Sequence, residues 1–268
     1  MRLEVLFEKL WQRYTAITPQ ASRIYNAIEA ANGIVVNDHV AFRTLNTSPY
    51  DLAYLANVLE SLGYRAFDEY QFEKKKLQAI AFLHANDAYP KIFVSELLVN
   101  KLSAANRSIL EGLVSHIVKD DTLQEAVLYS GTLWPAISWA DYKSLEVESE
   151  YAAWFSAMGY CANHFTVSVN HLCKTTSLDE IVDLVSSLGY AMNESGGLIK
   201  GNALVGLQQA STLADDVSYE FANGEKHTIK SCYYEFALRY PLNDGHIYQG
   251  FVADSADKIF ESTHRAMQ

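Results

Sequence analysis

Apolar and polar positions along the chain fall into elements that occur twice in the same order. Residues 3–31 place Leu3, Leu6, Leu10 and Tyr14, then Ile24, Ala27 and Ile28 after a break near Pro19, at helical spacing, and Gly33 ends the segment. Val35 and Val36 lead into a strand in which Val40 and Phe42 point to one face and His39, Ala41 and Arg43 to the other. Residues 50–62 read as an amphipathic helix stopped by Gly63, followed by strands at 65–67, 77–84 and 91–99. The spacing then turns helical over 104–118, 122–129 and 139–158, where Trp134, Trp139 and Trp154 add apolar bulk.

The second set repeats the first. A strand at 164–169 opens on His164, and a helix at 178–188 starts at a capping Ser177 and stops at Gly189. Strands follow at 198–199, 203–209 and 231–239, with a polar stretch at 212–228, containing Gly224, read as an inserted loop or hairpin. The helix ends match, Glu60-Ser61-Leu62-Gly63-Tyr64 against Ser186-Ser187-Leu188-Gly189-Tyr190. The last strands are also matched, Phe93-Val94-Ser95-Glu96-Leu97 against Tyr233-Tyr234-Glu235-Phe236, each with a glutamate in an apolar run. The chain is therefore α+β: N-terminal helices (1–34), a βαβββ module (35–100), a helical insertion (101–160), a second βαβββ module (161–253) and a tail or helix (254–268), all expected in one compact domain.

Composition narrows the partners. A formal charge of −11 argues against nucleic acid, which needs clustered Lys and Arg, but not against a small anion held by one buried arginine. No apolar run approaches the ~20 residues that span a bilayer. The opening residues mix acid and base with apolar positions and so read as an amphipathic helix, not a secretory signal. Cys161, Cys173 and Cys232 lack metal-site spacing and are odd in number, which fits a reducing cytoplasm.

Candidate chemistry centres on the repeated histidine. Taken singly, a strand histidine is more often a satisfied side chain than a ligand. Two related by duplication lie near a common axis, where a metal is held between modules. Non-haem Fe(II) enzymes use two histidines and one carboxylate, and His39, His164 and Glu235 supply that set. Glu235 sits in a run apolar on both faces, where an unpaired carboxylate is costly and a cation would satisfy it. Glu96, its match, is a fourth ligand, an outer partner or a relic. Arg43 lies about 13 Å along the strand from His39 on the same face, so that its guanidinium, reaching back, would bind a substrate carboxylate. Arg239 bears the same relation to Glu235 and faces that pocket or pairs with an acid. One of Gln208 and Gln209 must face the interior, and Gln209 is taken as a substrate contact. The remaining histidines, His84, His116, His171, His227, His246 and His264, fall at strand ends, in loops, helices or the tail. No G-x-G-x-x-G, P-loop, nucleophile elbow or H-E-x-x-H pattern occurs.

Together, His39-Val40-Ala41-Phe42-Arg43, Asn163-His164-Phe165-Thr166 and the Glu235 strand resemble the 2-oxoadipate dioxygenase/decarboxylase (hydroxyglutarate synthase) family of the vicinal oxygen chelate superfamily. The resemblance implies a cupped, barrel-like mixed sheet with Fe(II) on His39, His164 and Glu235 and a substrate carboxylate on Arg43. It also implies conversion of a 2-oxo acid and O2 to CO2 and a 2-hydroxy acid one carbon shorter; for 2-oxoadipate the product is 2-hydroxyglutarate, a step of lysine catabolism. Characterised members are longer than this chain. A hydrolase or lyase using Zn(II) or Mn(II) on the same scaffold, and a non-catalytic small-ligand binder, stay open as alternatives.

Overall fold

The computed structural model describes residues 3–263. Helix α1 (Leu3–Ile17) is separated from α2 (Pro19–Asn32) by Thr18, and Pro19 occupies the first turn of α2, where its missing N–H is not needed. Strand β1 (Asn37–Leu45) leads to α3 (Leu52–Ser61), whose first turn is capped by Asp51 accepting from the Tyr54 N–H at 2.9 Å. The strands β2 (Tyr64–Phe72), β3 (Leu77–His84) and β4 (Lys91–Leu97) complete the first set. β2 is far longer than the predicted 65–67, because it is an outer strand whose mostly exposed residues follow no apolar alternation.

The intervening segment is helical but more broken than its periodicity predicts. It holds α4 (Ala104–Val114), a 3-10 turn at Gln124–Tyr129, α5 (Trp139–Glu148) and α6 (Glu150–Met158). The single helix expected at 139–158 breaks at Ser149, which adopts extended backbone and caps α6 by accepting from the Ala152 N–H at 3.2 Å.

The second set comprises β5 (Ala162–Ser168), α7 (Leu178–Ser187), β6 (Lys200–Asn202) and β7 (Leu207–Ser211). The inserted stretch is a hairpin, β8 (Asp216–Glu220) with β9 (Lys226–Lys230), and β10 (Tyr233–Arg239) follows. β6 and β7 lie later than the predicted 198–199 and 203–209 because the Asn202 side chain caps a 3-10 turn at Ala203–Val205. The final described elements are α8 (Ala253–Ile259) and a 3-10 turn at Phe260–Thr263.

Eight strands form one curled half-barrel sheet in the order β2-β3-β4-β1-β5-β10-β7-β6. Read outward from the β1–β5 seam, each half repeats the same plan. β1 pairs parallel with β4, and β5 pairs parallel with β10. β1 and β5 meet antiparallel, with Ala41 opposite His164 and His39 opposite Thr166, so the duplicated histidines arrive side by side.

The seam carries two irregularities. The ladder passes from Asn37 to His39 and from His164 to Ala162, leaving out Asp38 on one strand and Asn163 on the other. Each skipped residue is the one immediately before a histidine. Such bulges break the alternation of faces and re-aim side chains.

Helices α1, α2, α3 and α7 pack against the sheet. α1 is pinned by the Tyr14 hydroxyl, which donates to the Tyr233 carbonyl at 2.5 Å, and α6 by Trp154 Nε1, which donates to the Ser231 carbonyl at 2.5 Å. Among the described residues no helix is long and apolar enough to cross a membrane.

Candidate metal centre

His39, His164 and Glu235 converge on the cupped face of the sheet, all buried. His39 Nε2 lies 3.3 Å from His164 Nε2 and 3.4 Å from Glu235 Oε1, and His164 Nε2 lies 3.3 Å from Glu235 Oε2. Donors about 2.0–2.2 Å from a common centre, at angles between octahedral and tetrahedral, stand roughly 3–3.5 Å apart.

The residues before the histidines, which the sequence reading left without a role, set both rings. Asp38 Oδ1 meets His39 Nδ1 at 2.8 Å and Asn163 Oδ1 meets His164 Nδ1 at 3.1 Å. An acceptor at Nδ1 fixes the proton there and turns the Nε2 lone pair inward. Burial, with the neighbouring His39 and Arg43, pushes His164 well below the ordinary histidine range, so it is neutral. Burial also raises the Glu235 pKa, against the opposing influence of His39 and the Gln209 amide. Gln209 Nε2 donates to Glu235 Oε1 at 2.6 Å, whereas Oε2 is buried with no hydrogen-bond partner. A carboxylate oxygen and an imidazole lone pair thus face one another across 3.3 Å. That contact is repulsive unless a proton or a metal cation lies between them, and the three residues fit a divalent metal.

Comparison with known proteins agrees with this geometry. Residues 6–244 match the 2-oxoadipate dioxygenase/decarboxylase family. A curated rice (Oryza sativa) relative, named a chloroplastic/amyloplastic 2-oxoadipate dioxygenase/decarboxylase, is 34% identical over 93% of this chain and 75% of its own length. The chain belongs to the 2-oxoadipate dioxygenase/decarboxylase family. It is therefore an enzyme of an oxidoreductase family. The crystal structure of rice hydroxyglutarate synthase in complex with 2-oxoadipate superposes with a TM-score of 0.91 at 32% identity, covering 97% of this chain and 91% of that one. A protein from Shewanella frigidimarina whose name calls it a hydrolase superposes with a TM-score of 0.88 at 41% identity, covering 93% and 97%.

Within this family member the other predicted residues have varied fates. Gln209 lines the small cavity over the triad, and its Oε1 is buried without a partner. Arg239 takes the second of its two expected courses and pairs with an acid. Its Nε and Nη2 donate to Asp38 at 2.6 and 2.8 Å, and Nη1 donates to the Tyr248 and Gly250 carbonyls, so four of its five N–H groups are committed away from any substrate. Burial alone would raise the Asp38 pKa, but Arg239 and His39 overcome it and hold the carboxyl well below its usual range.

Glu96 is not the counterpart of Glu235. Lys91 stands opposite His39 and Tyr233 opposite His164, so the position equivalent to Glu235 is Phe93. Glu96 lies three residues further on, on the other face of the strand. There it accepts from the Leu52 N–H at 2.8 Å and Gln78 Nε2 at 2.5 Å, holding the start of α3.

Arg43 lies between the rings of Tyr151 and Trp154, 4.8 Å from each centroid, with Nη1 3.6 Å from Glu150 and Nη2 donating to Thr263 at 3.3 Å. It lines an adjoining cavity of about 210 Å³, and Phe260 is a wall of both cavities. His264 falls outside the described residues.

The ceiling over the triad comes from the segment after β10. Phe251 sets its edge against His39 at 4.8 Å, and Ala256, Ile259 and Phe260 close the remainder. The cavity over the triad measures about 20 Å³, room for little more than one water.

Proposed function

We propose that the protein is a non-haem Fe(II)-dependent dioxygenase/decarboxylase that converts a 2-oxo acid of the 2-oxoadipate type and O2 to CO2 and the 2-hydroxy acid one carbon shorter. CO2 leaves with the two oxygens of the original carboxylate, one oxygen atom of O2 ends in the carboxylate formed at the former keto carbon and the other in the new hydroxyl, so no external reductant enters the balance. The observation that carries this reading is the unpartnered Glu235 Oε2 facing a neutral His164 inside a buried two-histidine, one-carboxylate set. Rice hydroxyglutarate synthase, crystallised with 2-oxoadipate, supports the substrate class.

His39, His164 and Glu235 would hold the ion, which supplies a Lewis acid and a template for the 2-oxo acid and O2. Asp38 and Asn163 keep the two Nε2 lone pairs pointed at it. Gln209 holds Glu235 by one oxygen and offers its own buried Oε1 to the ligand space. Arg43 supplies a guanidinium for a substrate carboxylate, reached when Phe260 yields. The aromatic ceiling keeps bulk water from the reacting atoms.

The test is anaerobic loading with Fe(II) and 2-oxoadipate followed by O2, with CO2 and 2-hydroxyglutarate expected one for one. Iron demonstrably bound without turnover of any small 2-oxo acid would sink the reading, and hydrolysis supported by Zn(II) or Mn(II) would replace it.

A further inference from the structure

Tyr233 stands in the cup without a part in holding the ion or the acid. It lies opposite His164 in the β5–β10 register and, two residues before Glu235, on the same face of β10. Its ring stacks on the His164 imidazole, with centroids 4.7 Å apart and planes 25° from parallel, and it lines the cavity over the triad. It is fully buried, and its hydroxyl finds no hydrogen-bond partner among the described residues. A buried hydroxyl without a partner is costly. Phenylalanine avoids that cost at the other ring positions of this cavity, Phe93, Phe251 and Phe260.

What the phenol adds is electron density. Its oxygen feeds the ring, so the carbons beside the C–O bond offer an attacking oxygen atom a better target than any phenylalanine carbon of the cavity. The closed roof gives that reactivity an occasion. A cavity of about 20 Å³ excludes a 2-oxo acid, whereas a small peroxide is close in size to the one water that fits there. Oxidant can therefore meet a bound metal before any substrate carbon is present to take the oxygen, and the imidazoles of His39 and His164 are then at risk.

We propose that Tyr233 is a modification site, the ring that accepts an oxygen atom when a peroxide reacts at the triad without substrate, and that it thereby spares the two histidines. In this step the O–O bond breaks, one oxygen bonds to a ring carbon beside the hydroxyl, and the hydrogen of that carbon leaves with the other oxygen as water. The peroxide is reduced by two electrons, the phenol is oxidised to a catechol, and no further reductant is required. The inference rests on the metal site proposed above but not on a 2-oxo acid as substrate.

The test treats Fe(II)-loaded protein, free of substrate, with stoichiometric hydrogen peroxide and locates added oxygen by tandem mass spectrometry. A mass gain of one oxygen atom is expected on Tyr233 and not in Zn(II)-loaded protein. Tyr234 is the internal control, as buried and as unpartnered but facing Trp11 and Tyr14 on the other side of the sheet. In Tyr233→Phe the oxygen is expected to move to His39 or His164, and iron-binding capacity should be lost at a lower peroxide dose than in wild type. Iron-loaded protein with Tyr233 unmodified, or equal labelling with Zn(II) or on Tyr234, would overturn the proposal. So would a Tyr233→Phe variant that keeps its iron-binding capacity as well as wild type does. Protein that binds no Fe(II) would remove this proposal and the metal site together. Labelled Tyr233 in a protein that turns over no 2-oxo acid would support the proposal while removing the oxygenase reading, and turnover with Tyr233 unlabelled by peroxide would do the reverse.

Discussion

Asp38 serves His39, Arg239 and, at 3.9 Å, Lys91 with one carboxylate. It therefore ties His39 of the first half to β10 of the second. Asp38→Asn keeps the shape but removes the charge that fixes the His39 tautomer, and metal affinity is expected to fall about 10- to 100-fold in a competition titration with a chelator. Glu235→Gln separates binding from stability. With metal present the variant should bind little or none. Without metal it should melt no lower than wild type, because a neutral amide replaces a buried carboxylate whose Oε2 has no hydrogen-bond partner. A metal-free variant that melts well below metal-free wild type would show that Glu235 has a structural partner instead.

At the scale of elements, Glu148 at the end of α5 joins pieces that no repeat relates. It accepts from Lys76 at 2.7 Å, from the Ser103 N–H at 2.9 Å and from Asn106 at 2.8 Å. Burial would raise its pKa, but these donors hold it down at about 2. A carboxyl depressed from its unfolded value of about 4.3 stabilises the fold above that pH and loses the contribution as pH falls toward 2. Glu148→Gln should thus flatten the melting temperature of the protein between about pH 4 and pH 2, where wild type declines. Periodicity made most elements legible, and the twofold repeat made the two histidines and Glu235 legible as a set. It did not reveal the bulges at Asp38 and Asn163, which break the very alternation used to read a strand. Nor did it reveal the partner of Arg239, 201 residues away, or the mismatch of Glu96, since a glutamate in each last strand looks like a repeat until the register with β1 and β5 is known.

For the whole molecule, the ceiling is the part that must give way. A cavity of about 20 Å³ admits no organic acid, and the segment that fills it opens only against the bonds that hold it, among them Ser195 to Glu261, Ser211 to Ser262 and Arg43 to Thr263. Phe251 N–H reaches the Tyr70 hydroxyl at 2.9 Å, Asn193 holds the Lys258 carbonyl at 3.0 Å and Ser262 at 2.9 Å, and Ala214 N–H donates to the Ser262 carbonyl at 2.9 Å. Hydrogen exchange of the amides in α8 is expected to run at least ~100-fold faster than in β5 and β10, through local opening. Equal protection would mean that the acid reaches the triad by another route.

The position of that ceiling along the chain is also a position in time. All three residues of the proposed site, the last at residue 235, are synthesised before the segment from Phe251 onward that roofs them. An ion can settle into an open cup on the nascent protein, whereas in the finished one it must wait for the roof to lift. For the proposed site, an ion present during refolding is therefore expected to load faster than one added to the folded protein, which a comparison of metal uptake in the two protocols would check.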